Sequence, residues 1–188
     1  MKKQVLSLTL ALLLCLSLAL PAFADFTDVP TGAYYAEAVK WAVENGYTKG
    51  TSDTAFSPDA FLTRGQLATF YWRVKGAQEP KSMESTFLDV NDPDSYYYKA
   101  VLWCAENGIV VGIDDDHFAP DDSFVYGQVI IVLWRDQFHE VLYGPDGIEV
   151  PRQWAEDEGF FDELPPFEFM GDLCPRCDMI YFLWKLFA

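Results

Sequence analysis

The stretch Phe61-Leu62-Thr63-Arg64-Gly65-Gln66-Leu67 decides the fold, because it reads as a helix start and returns, altered, twice more. Thr63 and Gln66 have the spacing of a capping box. The threonine hydroxyl accepts from the amide at the third helical position, and the glutamine side chain reaches back to the threonine amide. Leu62 and Leu67 fit a hydrophobic staple across that cap. Arg64 has no such explanation. It falls at the first helical position, where the helix macrodipole disfavours a cation. A helix start that carries an arginine it does not need points to an arginine that faces a partner.

Six tryptophans extend the pattern to the whole chain. They fall in three pairs of nearly equal spacing: Trp41 with Trp72, Trp103 with Trp134, and Trp154 with Trp184. The same text surrounds each pair. Phe26-Thr27-Asp28-Val29 matches Phe87-Leu88-Asp89-Val90. Trp41-Ala42-Val43-Glu44-Asn45-Gly46 matches Trp103-Cys104-Ala105-Glu106-Asn107-Gly108 and, more loosely, Trp154 to Gly159. Gly50, Phe56, Pro58, Gln66, Trp72 and Arg73 recur in register as Gly112, Phe118, Pro120, Gln128, Trp134 and Arg135. Arg64 and Trp72 recur once more as Arg176 and Trp184. A repeat of this length means that each unit is one supersecondary element burying its apolar face on its neighbours.

Each unit reads as helix, loop, helix. Tyr35, Ala38, Val39 and Ala42 share one helical face, and Gly46 ends that helix as a left-handed cap, as do Gly108 and Gly159. Tyr47 to Pro58 reads as an ordered loop with room for one short strand pair. The second helix runs from Thr63 to about Lys75, with Leu67, Phe70, Tyr71 and Val74 as its apolar stripe. In unit two the first helix is expected to start at Pro93-Asp94-Ser95, and the second opens with Val125-Tyr126-Gly127-Gln128. Unit three is the most worn. Its first helix is expected to be short, roughly Pro151 to Glu158, and its second opens with Cys174-Pro175-Arg176-Cys177-Asp178.

Residues 1–24 read as a secretory signal peptide. Lys2 and Lys3 form the charged end, Val5 to Leu20 the apolar run, and Ala22-Phe23-Ala24 the cleavage signal. The remainder, 25–188, suffices for one domain with a real core. Without Lys2 and Lys3 it holds 11 cations against 29 acids, a net charge of −18 that repels nucleic acid and anionic membrane.

The Phe-x-Asp-Val opening, the Trp-Ala-x-Glu-Asn-Gly helix end, the Gly50-to-Pro58 loop and the Thr-Arg-x-Gln helix start together resemble an S-layer homology domain. The resemblance covers 26–188, strongest in 26–75 and weakest in 151–187. It implies an all-α domain over 25–188, built of three helix-loop-helix repeats at 26–80, 87–140 and 148–188. Those repeats would stand in a pseudo-threefold arrangement around a central three-helix bundle. It further implies clefts between adjacent units that bind secondary cell-wall polysaccharide, often pyruvylated. Such clefts tether exported proteins to a Gram-positive-type wall without a covalent bond, with no cofactor. The family's binding arginine maps onto Arg64 and Arg176, with Tyr126 in its place in unit two. Its opening aspartate maps onto Asp28 and Asp89, and its first-helix aromatic onto Tyr34 or Tyr35 and onto Tyr96, Tyr97 or Tyr98. Thr63 and Gln66 complete the motif, with Gln66 and Gln128 replacing the usual glutamate.

A planar fork of donors suits carboxylate-bearing sugars such as a pyruvyl ketal, so Arg64 and Arg176 are the leading ligand contacts. The tryptophans recur at helical spacing and read as core before they read as sugar platforms. Asp114-Asp115-Asp116 lacks the alternation of a calcium loop and reads as a solvated turn. Cys174-x-x-Cys177 at a helix start admits three readings: a local disulfide or unreacted pair, a redox dithiol, or half of a metal site. No triad surrounds His117 or His139. The expected function is a non-catalytic wall-glycan module. Its rivals are a surface-layer or protein-assembly module and, last, an exported thiol oxidoreductase.

Overall fold

The structure, a computed structural model, describes residues 26–140, 146–166 and 170–188. The signal-peptide reading of 1–24 lies outside them. The described residues form an all-α domain of six helices: α1 Ala36–Glu44, α2 Arg64–Val74, α3 Tyr98–Glu106, α4 Tyr126–Phe138, α5 Asp146–Asp157 and α6 Arg176–Phe187. They fall in three pairs, one per unit.

Local chemistry accounts for most boundaries. Thr63 Oγ1 accepts from the Gln66 amide at 3.2 Å, and the Thr63 amide donates to Gln66 Oε1 at 3.3 Å, which completes the box read from sequence. Leu62 and Leu67 are both fully buried. Gly46, Gly108 and Gly159 adopt φ of 73°, 67° and 67°, the left-handed stop that a side chain would resist.

Three boundaries differ from expectation. In unit two, Pro93 to Ser95 form a turn held by Asp92, whose Oδ1 accepts from the Asp94 amide, and α3 begins only at Tyr98. In unit three, α5 starts at Asp146, ahead of both Pro151 and the expected unit boundary at 148. Pro151 forgoes one helical hydrogen bond. The helix forms because Ile148, Pro151 and Ala155 share an inward face, and Ile148 reaches the α4 backbone at Gly127. Finally, the short strand pairing does not lie within the Tyr47-to-Pro58 loop. It consists of three isolated antiparallel bridges between units, Phe61 with Pro175, Thr63 with Ser123, and Val125 with Leu173.

Those bridges belong to a closed ring. The Leu62 amide donates to the Cys174 carbonyl, Cys174 to Phe124, and Phe124 to Leu62. One step further along each segment, Arg64 donates to Asp122, Tyr126 to Asp172 and Arg176 to Ala60. One more step gives Gly65 to Pro120, Gly127 to Met170 and Cys177 to Pro58. Each unit thus bonds both others at the mouth of its second helix. Helix packing runs the same way round, α2 against α3, α4 against α5 and α6 against α1, while α2 also packs on α6. Side chains of the second helices fill the middle: Leu67, Tyr71, Ile130, Leu133, Ile180 and Phe182 are all fully buried. Lys75 Nζ meets Asp136 Oδ2 at 3.1 Å and ties the end of α2 to α4.

Candidate functional site

The candidate sites are the junctions where one unit's second helix starts against the next unit's loop. At the first junction Arg64 is 8% exposed. Its Nε donates to the Phe118 carbonyl and its Nη2 to the Val111 carbonyl, both at 2.6 Å. The guanidinium carbon lies 4.8 Å from the Phe118 ring centre and 5.0 Å from that of Phe124. So the helix start does use its arginine. It spends two of five N–H donors on the loop of the following unit. At the second junction Arg176, 3% exposed, directs Nε and Nη2 onto the Phe56 carbonyl at 3.2 and 3.1 Å, over the rings of Phe56 and Phe70.

Asp28 and Asp89 complete these junctions from behind. Asp89 accepts the Phe118 amide at 2.9 Å and the Ala119 amide at 2.6 Å. Asp28 accepts the Phe56 and Ser57 amides at 2.9 and 2.8 Å. Ser57 and Ala119 sit in the left-handed region at φ of 59° and 57°, which these carboxylates hold in place. In each case one peptide group stands between the charges. Its carbonyl accepts from the arginine and its N–H donates to the aspartate, so each bond polarises the other. Desolvation pulls the pKa of both arginines down, and nearby acidic groups counter it: Asp122 and Asp89 at Arg64, Tyr96 and then Asp28 at Arg176. The fold therefore brings Arg64 to Asp89 and Arg176 to Asp28, in two separate junctions, through backbone rather than through direct ion pairs.

The third junction departs from this plan. Tyr126 occupies the arginine position and its hydroxyl donates to Asp178, which also accepts from the Tyr34 hydroxyl. Cys177 Sγ donates to Asp178 at 3.3 Å. Tyr34, Tyr126 and Asp178 come from three different units and meet at a carboxylate only 1% exposed. Sequence reading missed Asp178. Its signal was there. Asp178 holds the third helical position, where units one and two carry the capping glutamines, yet its cap is Pro175, which has no amide to offer. A carboxylate without a capping duty is free for other donors.

Among the expected aromatics, Tyr34 is turned inward and Tyr35 is half-buried with its ring edge-on to Tyr34, 5.0 Å between centres. In unit two Tyr98 is buried, with its hydroxyl on the Met83 carbonyl, and Tyr97 packs on Gly65. Tyr96 points out, 54% exposed, with its hydroxyl beside Thr63. Tyr96 thus stands between the Thr63 cap and Arg176 of the second junction.

Of the readings open for Cys174 and Cys177, the structure has the unreacted pair and not the disulfide. Cys104, Cys174 and Cys177 are free and buried. Repeat position explains the spacing: Cys174 stands where the other units have Leu62 and Phe124, and Cys177 where they have Gly65 and Gly127. One is a core position and the other a point of close approach, and their sulfurs bond elsewhere. Burial pushes all three thiols up, the opposite of what an exchange catalyst needs. Asp114 Oδ1 accepts the Asp116 and His117 amides, the turn expected there. Among the described residues no three metal-ligating side chains converge, and no helix is long and apolar enough to cross a membrane.

Residues 25–68 and 86–129 match the sequence model of the S-layer homology domain. Both segments belong to that family. A "Cell surface protein" of Thermoanaerobacter kivui is 32% identical over 119 residues, 61% of this chain and 15% of that protein. An "Endoglucanase" of Bacillus sp. (strain KSM-635) is 31% identical over 145 residues, 71% of this chain and 15% of that protein. A "Surface-layer 125 kDa protein" of Lysinibacillus sphaericus is 28% identical over 109 residues, 58% and 9%. The chain thus spans about one seventh or less of these relatives. The S-layer homology match stops short of unit three, although unit three supplies a full third of the bonding ring.

Proposed function

We propose that this chain is an exported, non-catalytic anchoring module that holds secondary cell-wall polysaccharide, pyruvylated in the simplest case, in clefts between adjacent units. The S-layer homology repeats and the surface-layer relatives support a place at the cell wall or cell surface. The observation that carries the reading is the pair of matched junctions, each an arginine and an aspartate joined through one peptide group. In this reading Arg64 and Arg176 are the cations of two clefts and Asp28 and Asp89 hold the cleft loops. Tyr34, Tyr35, Thr63 and Gln66 belong to the surrounding wall and rim. The units close their ring pseudo-symmetrically, and the junction at Tyr126 is the weakest of the three toward an anionic sugar.

Sedimentation of the mature protein with isolated sacculi tests this, before and after the secondary polymer is stripped. Co-sedimentation that disappears on stripping is the expected result. Binding that survives stripping would favour the second reading, a surface-layer or protein-assembly module. The surface-layer relatives motivate that alternative.

A further inference from the structure

A cavity of about 420 Å³ opens in unit two, between the linker at 82–86, α3 and the loop at 111–115. It borders the first arginine junction at Val111, whose carbonyl accepts from Arg64. Phe87, Leu102, Ala105 and Val111 give it an apolar floor. Glu84, Glu106 and Asp115 stand around that floor, and no lysine or arginine lines it among the described residues. Leu88 and Ile113, next in sequence to the lining residues Phe87 and Gly112, are 65% and 58% exposed.

The repeat shows what is special here. The unit-one counterparts of Glu106 and Asp115 are Glu44 and Asp53, so the acids are kept. The counterparts of Leu102 and Val111 are Lys40 and Lys49, and those of Leu88 and Ile113 are Thr27 and Thr51. Unit two has therefore lost two cations from among its carboxylates and gained exposed aliphatic side chains at Leu88, Val111 and Ile113, while Leu102 is buried as floor. Ala105 replaces the larger Val43 and widens the floor. Exposed aliphatic groups beside carboxylates with no cation among them cost solubility or stability unless something covers them.

We propose that this cavity docks a segment of a partner protein that inserts a large aliphatic side chain next to a lysine or arginine. The floor fits the first and the carboxylates fit the second. Its volume is within the range of small-ligand sites. A sugar is the poorer match, because sugars favour aromatic faces and this floor is mostly aliphatic. The proposal stands apart from the glycan reading and survives its failure.

The probe is a fluorescein-labelled, amidated hexapeptide, Gly-Lys-Leu-Lys-Leu-Gly, titrated into the mature protein and followed by anisotropy. Saturable binding is expected, weakening several-fold when salt rises from about 0.05 to about 0.5 M as screening shortens. Peptides with glutamate for lysine, or serine for leucine, should bind roughly tenfold more weakly or not at all. Val111→Lys should abolish binding. Position 111 is 49% exposed and lysine is the unit-one residue there, so the fold should hold, as a melt will verify. Ala105→Val should weaken binding by filling the floor. Absence of saturable binding, equal binding of the glutamate peptide, or unchanged affinity in Val111→Lys would each overturn the proposal. So would tighter binding of a chitosan tetrasaccharide than of the peptide, which would make the occupant an amino sugar.

Discussion

Arg64 sits where a helix disfavours a cation by a few tenths of a kcal/mol, and the structure shows what outweighs that cost. Two short bonds to loop carbonyls and two aromatic faces hold its guanidinium. Arg64→Ala leaves the Phe118 and Val111 carbonyls without their donor. It should destabilise the protein by about 2–4 kcal/mol, read as a lower urea midpoint. Arg64→Lys should recover only part, because a point charge cannot serve two carbonyls set by a fork. An Arg64→Ala protein as stable as its parent would remove the structural role assigned here. The buried thiols and tyrosines make a separate prediction. Burial first, and then Asp178, through its hydrogen bonds to the two hydroxyls and through its charge, raises Cys177, Tyr34 and Tyr126 above their ordinary values of 9.0 and 10.0. Below pH 9 both folded and unfolded chains keep these protons. Above it the unfolded chain releases them first, so stability should fall as pH climbs through the ordinary thiol and phenol range. Urea midpoints measured at about pH 7, 9 and 10.5 check this, and Tyr126→Phe should flatten the last step. Ellman's reagent at about pH 8 should find no reactive thiol in the native mature protein and three after unfolding.

At the scale of elements, the three second-helix starts are one design at three stages of wear. Thr63 and Val125 have nearly the same backbone, φ and ψ of −86° and 161° against −94° and 159°. Only the first has a side-chain acceptor. Unit two keeps the other half of its box, the Val125 amide on Gln128 Oε1 at 3.2 Å. Val125 is half-buried, so Val125→Thr should supply the missing cap and raise stability by about 0.5–1 kcal/mol. Thr63→Ala should lose about the same. Thermal melts of both variants decide it; a Val125→Thr protein less stable than its parent would show that the methyl group matters more than the cap. Gly65 shows the other constraint on this element. A Cβ there would come within 3.1 Å of the Pro120 carbonyl and the Tyr97 ring. The segment needs a small residue for the backbone of the next unit to close on it.

Across the whole molecule, Asp178 is the point at which three units share one side chain. Two tyrosine hydroxyls and a thiol converge on it from α4, α6 and the turn before α1. Asp178→Ala strands both hydroxyls in the interior and should cost about 3 kcal/mol or more. Tyr34→Phe and Tyr126→Phe should each cost less. Because the two share an acceptor, their double variant should depart from additivity by about 0.5 kcal/mol or more in a cycle of urea midpoints. Strict additivity would mean that the hydroxyls bind Asp178 independently. A unit with the faintest sequence signal still closes the ring because the ring's contacts are made by backbone amides, which every residue but proline supplies.

The sequence by itself determined the periodic part of this protein. Tryptophan spacing, capping boxes and glycine stops are local signals, each set by residues within a few positions of one another. They gave the all-α class, three units and the second-helix starts to the residue at Thr63 and Arg64. Where local signals compete, they misplaced the start: Pro93 and Pro151 both look like helix openings, and packing of Ile148 and the Asp92 turn decided otherwise. Tertiary structure alone decided what long-range partners do. That Arg64 turns to the carbonyls of Phe118 and Val111, far along the chain in the next unit, follows from how the units close on one another. That Cys174 and Cys177 stay apart follows from which repeat positions they occupy. A motif records which residues are near in sequence. Which donor reaches which acceptor is settled only when the ring closes and water leaves the junctions, because buried groups must then find partners within the fold.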